Sequence, residues 1–433
     1  MTGTMTLTMR EVMGTVANNT AAGVPDQGGA EPTPASIDGD APRGAIQEAE
    51  VSAFVRDDFD RDVWSVLGAP IDMTDVPAAT AMIEAAARDH RRLSFVTPNV
   101  NILVDALRDP DARRRLIDAD LSLADGAPLV AMAKALGAPL QRRAAGSDLF
   151  DALRARPALG RPLRVFFFGG RDGSAERACA AINADPGGVA AVGWCNPGFG
   201  DVQSMSKDET IARINRADPD FVVVSLGAAK GQAWIDANKD KLDAPVISHL
   251  GAVVDFAAGA VRRAPTWMAR AGLEWAWRII ADPALWKRYA RDGGALLALS
   301  ATRLAPQLVS RRKRSGVGAS ASTTVDAKGA VVALAGDLVA EDLAPVREAL
   351  RAAAKSGGDV VLDVAEVGAV DGAFFGQVLM LEKQASRIGK TVRLRRVPSG
   401  LKRLFRANAM DYEIDMPEEG AATASAPAAA SAS

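Results

Sequence analysis

TPNVNILVDALRDPDARRRLIDADLSLADGAPLVAMAKALGAPLQRRAAG, residues 97–146, decides how the chain is read. It begins where the apolar run LSFV (93–96) stops, at Thr97, Asn99 and Asn101. It passes through a charged helical stretch, presents Asp125-Gly126 at a second turn, and closes on Arg142, Arg143 and Gly146. Polar groups gathered where strands end are how an α/β sheet builds a site.

Working outward, short apolar runs alternate with helical patterns. VWSVLG (63–68), LSFVTPN (93–99), RVFFFGG (164–170), VAAVGWC (189–195) and FVVVSLG (221–227) read as strands, and PVISHLGAVVDFAAG (245–259) as a strand passing into a turn. DVPAATAMIEAAARDH (75–90) reads as a helix with Asp75 or Thr74 as its N-cap. Further helices are expected from about Ser174 and from near Lys230. Strands separated by helices of ten or more residues imply βαβ units and a mostly parallel sheet, an α/β fold.

The flanks differ in texture. Residues 1–58 are rich in Thr, Gly, Ala, Pro and Asp without a sustained apolar period and read as a disordered leader. The α/β domain is placed at 59–291. Residues 292–323 read as an amphipathic basic segment and flexible linker: Leu297, Ala301, Leu304 and Leu308 share one helical face, Pro306 should bend or end that helix, and RRKR (311–314) leads into SGVGASASTT. A second small α/β domain is expected at 324–416, and a disordered tail at 417–433.

The bulk numbers narrow the function. The chain has 433 residues, of which 48% are hydrophobic, enough for two or three domains with large cores. A formal net charge of -2 gives no global argument for nucleic acid. Cys179 and Cys195 cannot staple a chain of this size, and two histidines, His90 and His249, cannot build a histidine-rich metal site. No apolar run reaches the roughly 18 residues of a spanning helix.

Several groups have two readings. Asp125 in LADGAP is on residue type alone a turn aspartate bonding its own backbone, or a general base. FFFGGRDGSAER (166–177) is a plain strand-to-helix turn, or one whose glycines let backbone amides approach a phosphate; it lacks the GxGxxG spacing of a dinucleotide site. Lys230 and Gln232 in SLGAAKGQAW (225–234) offer a second such turn, although a lone lysine at a helix start is more often a solvated charge. Asp118 and Asp120 form a DxD that could hold a divalent metal, but the tripeptide is common and falls at a charged helix end. His249 reads as a satisfied core histidine and His90 as a helix-end cation. Trp267, Trp275, Trp277 and Trp286 are interleaved with arginines over 262–291; a membrane-surface patch fits this pattern better than nucleic acid, with core packing explaining most of the tryptophans.

Taken together, TPNVN (97–101), ADLSLADG (119–126), RAAG (143–146), VFFFGG (165–170), the Leu226-Gly227 turn, GAVVDFAAGAVRRAP (251–265) and GLEWAWRIIADPALWKRY (272–289) resemble the WecG/TagA/CpsF glycosyltransferases. The resemblance implies a Rossmann-like fold and an inverting, metal-independent transfer. A hexose-type sugar would pass from a UDP-sugar to a saccharide on polyprenyl diphosphate, at the cytoplasmic face of the membrane and without a cofactor. It implies Asp125 as catalytic base and Thr97, Asn99 and Asn101 on the acceptor side. Gly169, Gly170, Gly227, Lys230, Gln232, Gly251 and Asp255 are implied at the nucleotide sugar. Arg262, Arg263, Arg270, Arg278 and Arg288 are implied at the lipid diphosphate or membrane. One departure stands out: the family's LG-x-PKQE reads here Leu226, Gly227, Ala228, Ala229, Lys230, Gly231, Gln232. It leaves two alternatives beside the enzyme, a non-catalytic scaffold and a UDP-sugar sensor.

VVALAGDL, DVVLDVAEVGAVDGAFFGQVLML and VRLRRVPSGLKRLFRANAM (331–410) resemble a STAS domain. Asp371 is followed by Gly372 and Ala373, so the serine of phosphorylated members is missing. This part reads as a docking or regulatory module for a protein partner.

Overall fold

The computed structural model describes residues 57–415 apart from 157–159, 186, 261–263, 266, 269–272, 310–313 and 328. The expected leader up to residue 56, the tail and most of RRKR lie outside the described residues. VWSVLG, read as a strand of the main sheet, is instead half of a separate hairpin. β1 (Val63–Val66) pairs antiparallel with β2 (Ala69–Asp72) across Leu67 and Gly68, both at positive φ. Such a two-residue turn matches the twist of the strands it joins.

The main sheet holds β3 (Leu93–Val96), β4 (Leu121–Ser122), β5 (Leu163–Gly169), β6 (Val189–Cys195), β7 (Phe221–Ser225) and β8 (Val246–His249). Their order is β4-β3-β8-β7-β5-β6, all parallel. Phe166, Phe167, Phe168 and the whole of β7 are buried, as unbroken apolar runs must be when helices cover both faces. Those helices are α1 (Val76–Arg88), α2 (Val100–Ala106), α3 (Pro110–Asp118), α4 (Ala127–Ala135), α5 (Gly146–Ala155), α6 (Ser174–Ala184), α7 (Val202–Met205), α8 (Asp208–Arg216) and α9 (Ala228–Asn238). Asp75 caps α1 by accepting from Ala78 N at 2.9 Å. After β8 the chain enters a short helix, α10 (Val253–Ala257), where only a turn was expected.

Two crevices follow from the strand order. The chain leaves β5 for β6 on one side and β7 lies on the other; β3 leads to β4 while β8 flanks it opposite. Ligands of open α/β sheets bind where connections diverge in this way.

Residues beyond the sheet also depart from expectation. Helix Trp286–Leu299 runs into a π-helical turn, Ser300–Leu304, and on through Ala305–Val309, so Pro306 does not end it. The side packed on the core is Leu296, Leu299 and Leu304, each half-buried, whereas Leu297 is 74% exposed. The π turn rotates the face, and Arg303 donates to the Arg406 carbonyl at 2.8 Å, holding this segment on the second domain. Within SGVGASASTT, expected as linker, Ser320–Asp326 begins as strand β9, paired antiparallel with β10 (Gly329–Leu338). β11 (Asp359–Val370) and β12 (Val392–Arg395) complete a sheet ordered β12-β11-β10-β9, with helices Ala344–Lys355, Gly372–Arg387 and Ser399–Ala407.

The two domains are not beads on a string. The hairpin lies on helix Gly372–Arg387, and one apolar cluster runs from Phe59, Val63 and Leu67 through Leu116, Leu129 and Leu136 to Phe374, Leu379 and Phe405. Gly376 is there because a Cβ would overlap the Val63 carbonyl oxygen. Ser65 donates to Asn408 Oδ1 at 2.8 Å across the junction. Gly376→Ala should therefore destabilise the whole chain by about 1–3 kcal/mol through overpacking. A denaturant midpoint equal to wild type would show that the close approach is not required.

Candidate active site

Asp125 stands at the end of β4, next to the end of β3. Its N–H donates to the Pro98 carbonyl at 2.8 Å, which fixes the loop against Thr97-Pro98-Asn99. Ala144 N donates to the Ala124 carbonyl at 2.8 Å, which brings Arg143 alongside. Thr97 is buried facing Gly146, whose hydrogen leaves room for both Thr97 and Leu250. Asn99 caps α2, accepting from Ile102 N at 3.2 Å, and Asn101 sits between Asp105 and Arg291. The residues expected on the acceptor side are thus gathered at the β3/β4 edge of the sheet.

The charge around Asp125 is unusual. Among the described residues its carboxylate has no hydrogen-bond partner, although part of its surface stays open. Burial pushes it up to about 6; Arg143 and Arg278 pull against that rise, and Glu274 and Asp148 add to it. Arg143 is clamped by both oxygens of Glu274, one at 3.0 Å, and reaches Asp148 at 3.3 Å. Arg278 lies over the Phe256 ring at 5.7 Å. Helix Glu274–Ala281 therefore carries two groups that set the field at Asp125, Glu274 and Arg278. Glu274 was not singled out from sequence; its signal is its place in GLEWAWR, four residues before Arg278.

The other crevice lies between β5 and β7. Gly169 and Gly170 have φ of 91° and 101°, and a Cβ at Gly169 would come within 2.6 Å of the Ser225 carbonyl oxygen. Gly170 donates its N–H to that same carbonyl at 2.7 Å. This corrects the expectation that the Gly170 amide faces a phosphate: it is spent closing the crevice floor. Gly227 has open space where a side chain would stand, and no side chain caps α9 behind it. The first N–H groups of α9 are thus presented to an incoming anion. Lys230 is held on the Gly200 carbonyl at 2.6 Å, so it ties the 196–201 loop to this rim and is not a free surface charge. Asp255 meets Arg171 at 3.6 Å and keeps a buried Oδ1 without a hydrogen-bond partner among the described residues.

Gln232 does not join this rim. It lies against β3 and α3, beside Val96, Arg115 and Asp118, with its amide nitrogen buried and unpartnered among the described residues. The residue before it, Gly231, makes room for His249. Its ring fills the space where a side chain at Gly231 would stand, touches the position of a Cβ on Gly251 at 3.2 Å, and bonds the Leu226 carbonyl at 2.7 Å through Nε2. Burial holds the imidazole below its ordinary pKa, neutral with its proton on Nε2. Asp118 pairs with Arg114 at 3.2 Å, and Asp120 accepts from Ser94 N and Oγ, both at 2.9 Å. Among the described residues no three His, Cys, Asp or Glu side chains converge as a metal site. Arg262, Arg263 and Arg270 lie outside the described residues, as does the side chain of Arg288.

Comparison with known proteins finds two family matches along the chain. The model of the glycosyl transferase WecG/TagA/CpsF family matches residues 64–310, and a STAS domain model of the Mlab type matches 322–415. An N-acetylglucosaminyldiphosphoundecaprenol N-acetyl-beta-D-mannosaminyltransferase of Bacillus spizizenii is 30% identical over 216 residues, covering 50% of this chain and 82% of that protein. Proteins of the same name in Bacillus subtilis and Staphylococcus aureus are 31% and 27% identical. These matches cover 44% and 52% of this chain, and 73% and 86% of their own lengths.

The raised Asp125 has a consequence for stability. The folded state holds this proton more tightly than the unfolded chain does, so its ionisation costs stability between about pH 4 and pH 6 and by a constant amount above. Asp125→Asn is expected to be more stable than wild type at pH 8, by on the order of 2–3 kcal/mol, with the gap closing toward pH 4. Unfolding midpoints that differ equally at pH 8 and pH 4 would contradict this.

Proposed function

The chain belongs to the WecG/TagA/CpsF glycosyltransferase family, and from that premise we propose the reaction that follows. It moves a hexose-type sugar, of the N-acetylmannosamine class named in its relatives, from a UDP-sugar to a sugar borne on polyprenyl diphosphate. The product belongs to exopolysaccharide or surface glycan synthesis. The observation that carries the reading is Asp125: a carboxylate lifted to about 6, unpartnered among the described residues, beside Thr97 and Asn99. A base tuned toward the working pH can accept a proton and still be ionised when substrate arrives.

In the proposed step the acceptor hydroxyl gives its proton to Asp125, and its oxygen attacks C1 from the face opposite the leaving group. The C1–O bond to the diphosphate breaks and UDP departs with the electron pair, inverting the anomeric centre. The growing charge on UDP meets the open first turn of α9 at Gly227, with Lys230 on the rim. Gly251 and Asp255 border the same crevice, and Arg171, held by Asp255 and Asp282, faces it. Arg143 and Arg278 hold positive charge at the acceptor side, where a lipid diphosphate would lie. No metal and no cofactor is invoked.

The acceptor is a lipid, so the protein is proposed to work at the cytoplasmic face of the cell membrane. Among the described residues no helix is long and apolar enough to cross a membrane. Trp267, Trp275, Ile280, Trp286 and Leu297 are instead 48–74% exposed on consecutive helical segments with arginines between them, a composition suited to lying on a lipid surface. Helix Gly372–Arg387 is covered by the chain's own hairpin, so a protein partner for the second domain would use another face. The placement of Gln232 away from the rim favours a second reading, a UDP-sugar sensor or scaffold without turnover.

One assay separates them. Purified protein with a panel of UDP-sugars and a lipid-linked saccharide extract should release UDP only when acceptor is present. Asp125→Asn should lower kcat/KM about 10²–10⁴-fold, and the wild-type rate should fall as pH drops through about 6. UDP-sugar binding with no acceptor-dependent release from any donor would replace the transferase by the sensor. For the surface, Trp275→Ser with Leu297→Ser should cut flotation with anionic vesicles several-fold; unchanged flotation would remove the membrane claim.

A further inference from the structure

β4 is two residues long and forms one edge of the main sheet, yet Asp125 follows it by only three residues, at most about 10 Å of chain. An edge strand this short has little ladder of its own, and its outward groups need partners. They have them, and the partners come from outside the sheet. Ser122 N donates to Asp72 Oδ2 of the hairpin at 2.7 Å. The Ala119 carbonyl accepts from Arg61 at 3.0 Å and from Lys383 of the second domain at 3.1 Å. Lys383 Nζ also meets Asp58 Oδ1 at 2.8 Å and Asp120 Oδ1 at 3.5 Å, while Arg61 binds Asp72 at 2.8 Å and Asp58 at 3.1 Å. Lys383 and Arg61 are 0% and 1% exposed.

We propose that Lys383, on the second domain, is a positioning residue for the transfer reaction: by gripping Ala119 and Asp120 it holds β4, and through β4 the Asp125 loop. The inference rests on the transferase reading for its kinetic consequence but not for its geometry. A cation that only held the two domains together would have its partners anywhere on the interface. This one is aimed, fully buried, at the two residues that enter the strand carrying the base. The neighbouring contact Arg113–Glu382 joins the domains without touching β4.

The test uses full-length protein carrying Lys383→Met, Lys383→Arg or Glu382→Gln. The last weakens the neighbouring interdomain contact to Arg113 and leaves Lys383 and the hairpin in place. Lys383→Met should lower kcat at least tenfold with the KM of donor and acceptor within about twofold, and Lys383→Arg should restore at least a third of it. Independently of turnover, the Asp125 carboxyl, identified in a carbon-13 NMR spectrum by its loss in Asp125→Asn, should titrate at a displaced midpoint in Lys383→Met. It should keep its wild-type midpoint in Glu382→Gln. An unmoved Asp125 titration in Lys383→Met, or equal displacement in Glu382→Gln, overturns the proposal whether or not the wild type turns over. A wild type without turnover, but with the displaced titration, overturns only the transferase reading. Should Lys383→Met fail to fold, Asp120→Asn, which weakens the same grip from the other side, must give the same displacement or the proposal falls.

Discussion

Four buried charged side chains, Asp58, Arg61, Asp72 and Lys383, sit beside an apolar cluster that spans both domains. Charges brought into such surroundings must be paired and hydrogen-bonded completely, and removing one partner typically costs about 3–5 kcal/mol. That requirement sets the geometry around them. The hairpin must present Asp72 to Ser122, the second domain must bring Lys383 to Ala119, and Gly376 must let the two approach. Desolvation works against the charge of Lys383, while Asp120 and Asp58 favour it. Asp58 is held below its ordinary range despite its own burial, because Lys383, Arg61 and Arg387 surround it.

The candidate site uses burial in the opposite sense. At Asp125 the carboxylate is short of hydrogen-bond donors and burial wins, so the group sits high; at Asp58 donors surround the carboxylate and it sits low. The same residue type serves as proposed reactive group in one place and as fastener in the other, 67 residues apart in sequence. Helix Glu274–Ala281 carries the arginine and the glutamate that set the balance at Asp125. It is also the segment whose outer side bears exposed Trp275 and Ile280. The chemistry at the strand ends and the proposed lipid-facing surface thus share one short element.

Much of this was legible in the residues and some could not be. The buried strands announced themselves as unbroken runs such as FVVV, and Asp75 marked its helix start. The Asp125 turn, with Thr97 and Asn99, stood out because polar residues followed an apolar run. β4 was illegible because two residues carry no periodicity, and β9 because its alternating Ser and Thr look like a linker until a partner strand is beside them. VWSVLG looked like any buried strand; what distinguishes it is a partner hundreds of residues away. Gly170 was legible as a glycine turn but not as one whose N–H is already taken. The altered Leu226–Gln232 turn made sense only with His249 in place, since its ring occupies the room that Gly231 vacates. Whether position 231 carries a side chain is decided by a residue on another strand.

The hairpin has a consequence for how the molecule is made. Trp64 and Val66 leave the ribosome well before the helix they pack against and before Asn408, which accepts from Ser65 across 343 residues. Contacts this distant in sequence slow folding, and apolar surface waiting for them is exposed in the meantime. Arg61 and Asp72 can pair with each other while they wait; Asp58 has Arg61 but not Lys383, and Ser65 has nothing from the far end of the chain. The nascent protein therefore carries a half-finished core until the second domain emerges and closes it.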